Sequence, residues 1–442
     1  MSRPLRIAFL LGSFPVISET FILRQITGLL DLGHEVRIFA NAQPDDSATV
    51  HPEVAKYHLL NQTTYVDGPA ESLVWELPVM PLTGRTWPPG ATKPTANWLR
   101  FAAALPTVAR CLCHAPGLTR QLLNPDEYRY HAASWSGVYR LGTLCQERTG
   151  FDVLHAHFGP VGNSFRFARE LWRTPLLVSF HGYDFSTLPR KEGSAMYEKL
   201  FATADVITVN SEFTRSQVEK LGCPNAKLRK LPVGLDLDEF PFRERTLQSG
   251  ETVRLLTVAR LAEIKGYEFT LRAMALLRRS VPELRYDIVG DGPLRRPLES
   301  LAAGLGLNDT VVFHGACAGD EIERLLAQAH LFLLCSVNVE GDQEGQGLAL
   351  QEAQACGLPV VATNHGALPE GMQAGRSGFL IPERDPEALA NRLKDLIEHS
   401  AEWPALGRAG RAFAADGYDI CKLNERLLAI YGEAAESYRS AK

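Results

Sequence analysis

The 442-residue sequence predicts an α/β protein made of two doubly wound parallel-sheet domains, on three observations. Apolar runs of five to seven residues alternate with stretches of helical period, the pattern of strands covered on both faces by crossover helices. The beat lapses in residues 227–250, a polar, turn-rich stretch, and then resumes, which marks an interdomain linker. At roughly 100–200 residues per domain, the length suits two or three domains and excludes a single small binding module.

In the first series, LRIAFLL (5–11) reads as a buried strand, residues 18–32 as a helix and HEVRIFA (34–40) as the next strand. After a long interruption come the strands DVLHAHF (152–158), PLLVSFH (175–181) and DVITVN (205–210). The second series holds VRLLTVA (253–259), RYDIVG (285–290), TVVFHG (310–315), HLFLLCS (330–336) and LPVVAT (358–363), with helical stretches at about 268–280, 294–306, 319–328, 347–356 and 386–398. Residues 402–440 have helical period and no strand pattern. The expected domains are therefore 1–240 and 251–405, followed by a helical segment at 406–442. Such sheets bind ligands at the carboxyl ends of their strands, so two facing domains place a cleft between those ends.

The interruption contains a stretch, 77–125, with no Asp or Glu, five basic residues (Arg85, Lys93, Arg100, Arg110, Arg120) and eight prolines. Within it Trp98, Phe101, Leu105, Val108 and Leu112 recur at helical spacing, with Arg100 and Arg110 off the stripe and Pro106 inside it. This basic insertion reads either as a helical cover on the first domain's core or as an amphipathic surface for anionic lipid.

A composition of 45% hydrophobic and 22% charged residues is that of an ordinary globular protein, and a net charge of -5 argues against nucleic-acid binding. Of the eight cysteines only Cys111 and Cys113 lie close together, with no second pair to complete a zinc pattern, so a reduced, cytoplasmic chain is expected. The first twenty residues are broken by Gly12, Ser13 and Pro15 and lack a small-x-small cleavage site, unlike a signal peptide. No stretch approaches the ~18 apolar residues of a membrane span, so any membrane contact is expected to be peripheral, from the inner face of the cytoplasmic membrane.

The chemistry concentrates in residues 335–363, CSVNVEGDQEGQGLALQEAQACGLPVVAT. A strand runs into a polar loop, and Gly345 and Gly347 open a helix whose free amides and positive end suit an anion such as a diphosphate. Glu344 in the loop and Glu352 in the helix supply carboxylates that can each accept two hydroxyl hydrogen bonds, as the diols of a sugar or ribose require. In ARLAEIKG, Arg260 and Lys265 follow the second domain's first strand, where fixed cations neutralise a diphosphate leaving group. Neither GQGLAL nor GDGPLR has the third glycine of a dinucleotide fingerprint, which argues against a nicotinamide cofactor. His155 and His157 point to one face of a strand but lack a carboxylate or cysteine to complete a metal site, and read as core or cleft lining. The D-x-D string Asp236-Leu237-Asp238 lies in the linker, and cations already answer the diphosphate, so no metal and no cofactor are expected.

These residues resemble the retaining GT-B glycosyltransferases of family 4: the E-x7-E pair Glu344 and Glu352, the R-x4-K pair Arg260 and Lys265, IVGDGP at 288–293 and PVGLD at 232–236. The first domain is similar, more narrowly, to colanic-acid-type exopolysaccharide glycosyltransferases, through SFPVISETFILRQITGLLDLGHEV, DVLHAHFGP and SFHGYD. The resemblance implies a GT-B architecture of two Rossmann-like domains facing a central cleft, with the C-terminal helix crossing back. It implies transfer of a sugar from a UDP- or GDP-sugar to a lipid-linked or oligosaccharide acceptor. Glu344 would then touch the donor sugar near its reacting carbon, Glu352 the ribose, and Arg260 and Lys265 the diphosphate. Gly347, Leu348 and Ala349 would offer amides to the diphosphate or sugar, and His181 would face donor and acceptor from the first domain. Gly12 would let the backbone approach the donor phosphate, although Gly12-Ser13-Phe14 replaces the family's paired glycines. The alternatives are a nucleotide-sugar epimerase on a similar fold and a catalytically silent nucleotide-sugar-binding subunit.

Overall fold

The computed structural model describes residues 3–16, 19–44, 50–66, 97–128, 132, 135–147, 150–317 and 319–440, with the backbone alone for 97–104. The first sheet contains β1 (Arg6–Ser13), β2 (Glu35–Ala42), β3 (Thr63–Tyr65), β4 (Val153–His157), β5 (Leu176–Phe180), β6 (Val206–Val209) and β7 (Leu228–Lys230). Its order is β3-β2-β1-β4-β5-β6-β7, with every pairing parallel. The second contains β8 (Val253–Val258), β9 (Leu284–Val289), β10 (Val311–Gly315), β11 (Leu331–Leu334), β12 (Val360–Thr363) and β13 (Gly378–Ile381), in the order β10-β9-β8-β11-β12-β13, again all parallel. Both sheets reverse their order beside the first strand of the series, and the crevice at that switch point is where doubly wound folds take ligands.

Three strands escape the sequence pattern. β3 and β13 are three- and four-residue edge strands, and β7 opens the stretch read as linker, at Leu228–Lys230. Edge strands this short carry too few residues for an apolar run to stand out. A further correction concerns Gly12, which lies inside β1 rather than after it.

The two cores are filled by the predicted runs: Ile7, Phe9 and Leu11 point to one face of the first sheet, Ala8 and Leu10 to the other. The C-terminal stretch folds as two helices. Trp403–Gly417 buries Trp403 and Leu406 in the second domain's core, and the chain turns at Tyr418 and Asp419 into Ile420–Ser440. That last helix crosses back, burying Leu423, Leu427, Ile430, Tyr431 and Ala434 with Ile7, Phe9, Leu11 and Ile26 of the first domain. The 3–4 spacing makes one apolar face, and each large side chain on it contributes about 1.5–3 kcal/mol of burial. The two interdomain crossings touch: Leu235 N donates to Tyr418 O and Ile420 N to Leu235 O. A side chain at Gly234 would overlap Ile420 there.

Of the basic insertion, residues 77–96 lie outside the described residues. Asn97–His114 forms a helix with Pro106 inside it, and Pro116–Leu122 forms another. The expected stripe divides: Val108 packs on the first core, beside Cys111 from off the stripe, whereas Leu105 is 58% exposed and Leu112 39%. The side chains of Trp98, Arg100 and Phe101 lie outside the described ones. No described helix is long and apolar enough to cross a membrane.

Candidate active site

Two loops of the second domain meet beyond the carboxyl ends of β8 and β11. After β8 the chain passes the exposed Arg260 and a single turn, Glu263–Lys265, and reverses at Gly266 with φ +62°. A Cβ on Gly266 would fall 2.0 Å from the carbonyl oxygen of Cys335, so only glycine lets this loop lie against the end of β11. Val337 N donates to Ile264 O at 2.8 Å and ties the loops together. The IVGDGP turn supports them from behind, since side chains at Gly290 and Gly292 would meet the carbonyls of Ala259 and Leu261.

This packing brings Lys265 Nζ to 2.5 Å from Glu344 Oε1, which also accepts from Ser336 Oγ at 2.8 Å. The side chains are only 19% and 11% exposed. Burial alone would raise the Glu344 pKa, but Lys265, Ser336 and His365 outweigh it and hold the carboxyl below the usual glutamate range. The Glu344 backbone is clasped as well. Its N–H donates to His365 Nε2 at 3.2 Å, so the His365 proton sits on Nδ1, which donates to Glu383 Oε1 at 2.8 Å. Ala367 N donates to Glu344 O, and a side chain at Gly366 would overlap that oxygen.

Gly347, at φ +76°, precedes the helix Leu348–Ala355, and a Cβ there would meet Leu368. The amides of Leu348 and Ala349 begin this helix and have no carbonyl within it to donate to. Glu352, one turn on, keeps a partly accessible side chain. Burial raises its pKa and Arg24 of the first domain partly offsets the rise. Arg24 itself pairs with Glu239 in the linker.

The first domain meets this cluster through the ends of β4, β5 and β6. A Cβ on Gly345 would lie 2.5 Å from the carbonyl oxygen of His181, and Gly345 O accepts from Ser211 Oγ at 2.9 Å. The buried Asp184 holds the His181 turn by accepting from the amides of His181, Gly182 and Gly159. The His181 ring packs against Phe21 and Phe158 and contacts His157. Glu370 spans the domains, accepting from Glu212 N and Phe213 N, the amino end of Glu212–Lys220, and from Lys230.

The structure thus draws Lys265, Glu344 and the start of Leu348–Ala355 together, and the His181 main chain meets this segment at Gly345. Arg260 stands at their edge with no ion-pair partner among the described residues. Gly12 is less special than expected: its φ is ordinary, and an added Cβ would sit 3.6 Å from Val161, a normal contact. Asp236 caps its own turn by accepting from Asp238 N. Among the described residues no group of three metal-ligating side chains occurs. Sequence reading missed Ser336, Asp184, the His365–Glu383 pair and Glu370. Asp184 and Ser336 lay inside quoted segments, but the His365–Glu383 pair and Glu370 have no local signature because their partners are distant in the chain.

Two Rossmann-like sheets with facing carboxyl edges, bound by a C-terminal helix that returns to the first domain, define a GT-B fold. The chain belongs to the glycosyltransferases: residues 18–234 match the glycosyl transferase 4-like domain and residues 238–413 the glycosyl transferases group 1 family. It is 31% identical over 435 residues, 96% of this chain and 99% of the relative, to WcaL of Salmonella typhimurium, provisionally a colanic acid biosynthesis glycosyltransferase. It is 31% identical over 414 residues, 92% of this chain and 94% of the relative, to the amylovoran biosynthesis glycosyltransferase AmsK of Erwinia amylovora. The fold is shared with Anabaena Alr3699/HepE, solved in complex with UDP, at TM-score 0.67 and 18% identity over 97% of this chain and 100% of that one.

Proposed function

We propose that this glycosyltransferase moves a sugar from a UDP- or GDP-sugar to a lipid-linked or oligosaccharide acceptor in exopolysaccharide synthesis, with retention of anomeric configuration. The observation that carries the reading is the Lys265–Glu344–Ser336 cluster beside the amino end of Leu348–Ala355, set opposite His181. Supporting it are full-length relatives named for colanic acid and amylovoran biosynthesis and a UDP complex of the same fold.

In this reading residues 251–405 bind the donor, residues 1–240 present the acceptor, and 406–442 links them. Arg260, Lys265 and the amides of Gly347, Leu348 and Ala349 stabilise the departing diphosphate in a water-poor site, where such groups contribute several kcal/mol. Glu344 holds the sugar hydroxyls, Glu352 the ribose, and His181 and the Gly12 loop border the sugar and phosphate from the first domain. The acceptor hydroxyl attacks from the face the diphosphate leaves, and its proton passes to a diphosphate oxygen, so no carboxylate nucleophile is required. The reaction takes place at the inner face of the cytoplasmic membrane, with the basic helical insertion on the lipid.

The test is incubation of the purified chain with UDP- and GDP-sugars, with and without a lipid-linked saccharide extract. Acceptor-dependent release of UDP or GDP supports transfer. A changed sugar nucleotide without acceptor would instead show an epimerase, and binding without release a silent subunit.

A further inference from the structure

We infer that Glu383 and His365 are positioning residues of the transfer site: together they hold both ends of the loop that carries Glu344, by hydrogen bonds that need a carboxylate at 383 and a bare Nε2 at 365. What Glu344 touches rests on the transfer reading above. The hold on its loop rests on geometry.

After β11, residues 336–345 fold back on themselves. Val339 and Asp342 exchange both main-chain hydrogen bonds around Glu340 and Gly341, which lie at φ +50° and +82°. The tip reaches the first domain, where Ser186 Oγ donates to Asp342 Oδ1 at 2.8 Å. The base is held from the carboxyl ends of β12 and β13. Thr363 pairs in register with Ile381, so the residues two further on, His365 and Glu383, come side by side. At the start of the loop Thr363 Oγ1 donates to Ser336 O, Arg384 Nη2 donates to Asn338 O at 2.6 Å, and Glu383 Oε2 accepts from Asn338 N at 2.8 Å. At its far end His365 Nε2 accepts from Glu344 N and Ala367 N donates to Glu344 O.

Counting protons sets the chemistry of each group. The amides of Asn338 and Glu344 can only donate. Because Glu344 N–H points at His365 Nε2, the imidazole proton is on Nδ1, 2.8 Å from Glu383 Oε1. Glu383 therefore faces two donors, one at each oxygen, and only a carboxylate accepts from both. A glutamine has one oxygen, so its amide nitrogen must face either Asn338 N–H or His365 Nδ1. In the second orientation it can donate only if the imidazole proton moves to Nε2, against Glu344 N–H. Either way one end of the loop is released. His365 is buried, where an N–H left without an acceptor is disfavoured. Lys265 and Ser336 hold the Glu344 carboxylate, and Glu383 and His365 hold its main chain, so the group is fixed at both ends.

The experiment uses the full chain and two independent readouts. In hydrogen exchange followed by mass spectrometry, the peptide over 336–345 is expected to exchange about tenfold faster in Glu383→Gln than in the wild type, as loss of a hydrogen bond to a charged group allows, with peptides over β8 and β9 unchanged. In transfer assays Glu383→Gln is expected to lower kcat about tenfold with an unchanged Kd for UDP or GDP. The helix that carries Glu352 has its own ties, from Gln351 and Gln354 to Gly371 O. Substitution of His365 separates its two nitrogens. The side-chain oxygen in His365→Gln can stand where Nε2 was and accept from Glu344 N, whereas the amide in His365→Asn reaches only the place of Nδ1. The Gln variant is expected to keep most of the rate and the Asn variant to fall about tenfold below it. Wild-type exchange of the loop in a folded Glu383→Gln chain overturns the inference, as does wild-type kcat in that chain or an Asn variant as fast as the Gln variant. Should the histidine variants fail to fold, Glu383→Gln decides, and should that variant fail, the histidine pair decides. Should no nucleotide sugar support transfer by the wild type, the transfer reading fails while hydrogen exchange still tests the hold on the loop.

Discussion

Lys265 and Glu344 share a 2.5 Å ion pair between largely buried side chains, although the family resemblance assigns one to the donor's diphosphate and the other to its sugar. The pair ties the loop after β8 to the loop after β11, so each charge positions the other. Removing one partner of a buried pair leaves the other uncompensated, at about 3 kcal/mol or more.

Lys265→Ala and Arg260→Ala should therefore differ. Both are expected to lower kcat/KM, since the proposed function places both cations at the departing diphosphate. Only Lys265→Ala should also lower the urea midpoint, because Arg260 is exposed and has no ion-pair partner among the described residues, and such surface changes stay within about 0.5 kcal/mol. Wild-type transfer by a folded Arg260→Ala would remove it from the diphosphate site.

Glu352→Gln should raise the Kd for UDP or GDP with no loss of stability, because burial already disfavours its charged form. Glu344→Gln should leave that Kd nearly intact, depress kcat and destabilise the chain by stranding Lys265. Calorimetric titration with the free nucleotide separates the two, and an unchanged Kd for Glu352→Gln would end its ribose role.

Stability should fall on mild acidification. His155, His157 and His181 have folded pKa values pushed down by burial, whereas the unfolded chain takes up their protons near pH 6.5. Below that pH the unfolded state binds more protons, so the stabilisation is complete above pH 6.5 and lost as pH falls. Each histidine contributes up to about 1.4 kcal/mol per pH unit. Glu344 and Glu370, with lowered values, add a second loss only below the usual glutamate range. A urea midpoint unchanged between pH 7.5 and 5.5 would contradict this.

Transfer should persist in excess chelator, and the first product should keep the donor's anomeric configuration. In the proposed function two cations and the helix amides supply the leaving-group charge that a metal would otherwise provide. Inversion in the proton spectrum of the first product, or activity restored only by a divalent ion, would refute these respective points.

The helix Asn97–His114 should bind anionic vesicles reversibly and in a salt-sensitive way, through exposed Leu105, Leu112 and Arg110. Each basic residue near an anionic leaflet contributes about 1 kcal/mol. Co-sedimentation that shows no preference for anionic over neutral vesicles, or no loss in Arg100→Glu/Arg110→Glu, would make the insertion a structural cover only.

The architecture was legible because buried parallel strands such as Ile7–Leu11 and Val253–Val258 must be apolar on both faces, a constraint written in consecutive residues. The Glu344–Glu352 and Arg260–Lys265 spacings were legible because each pair lies in one short segment: Glu344 and Glu352 in a loop and the helix it opens, Arg260 and Lys265 in a single loop. Gly345 read only as a residue that opens a helix, and the fold makes it, with Gly266 and Gly366, a point where a backbone carbonyl passes too close for any side chain. The His365–Glu383 pair, Glu370 and the His157–His181 contact belong to tertiary structure alone. Each joins segments from different strands or domains, and neither apolar period nor local spacing records which strand ends a parallel sheet sets side by side.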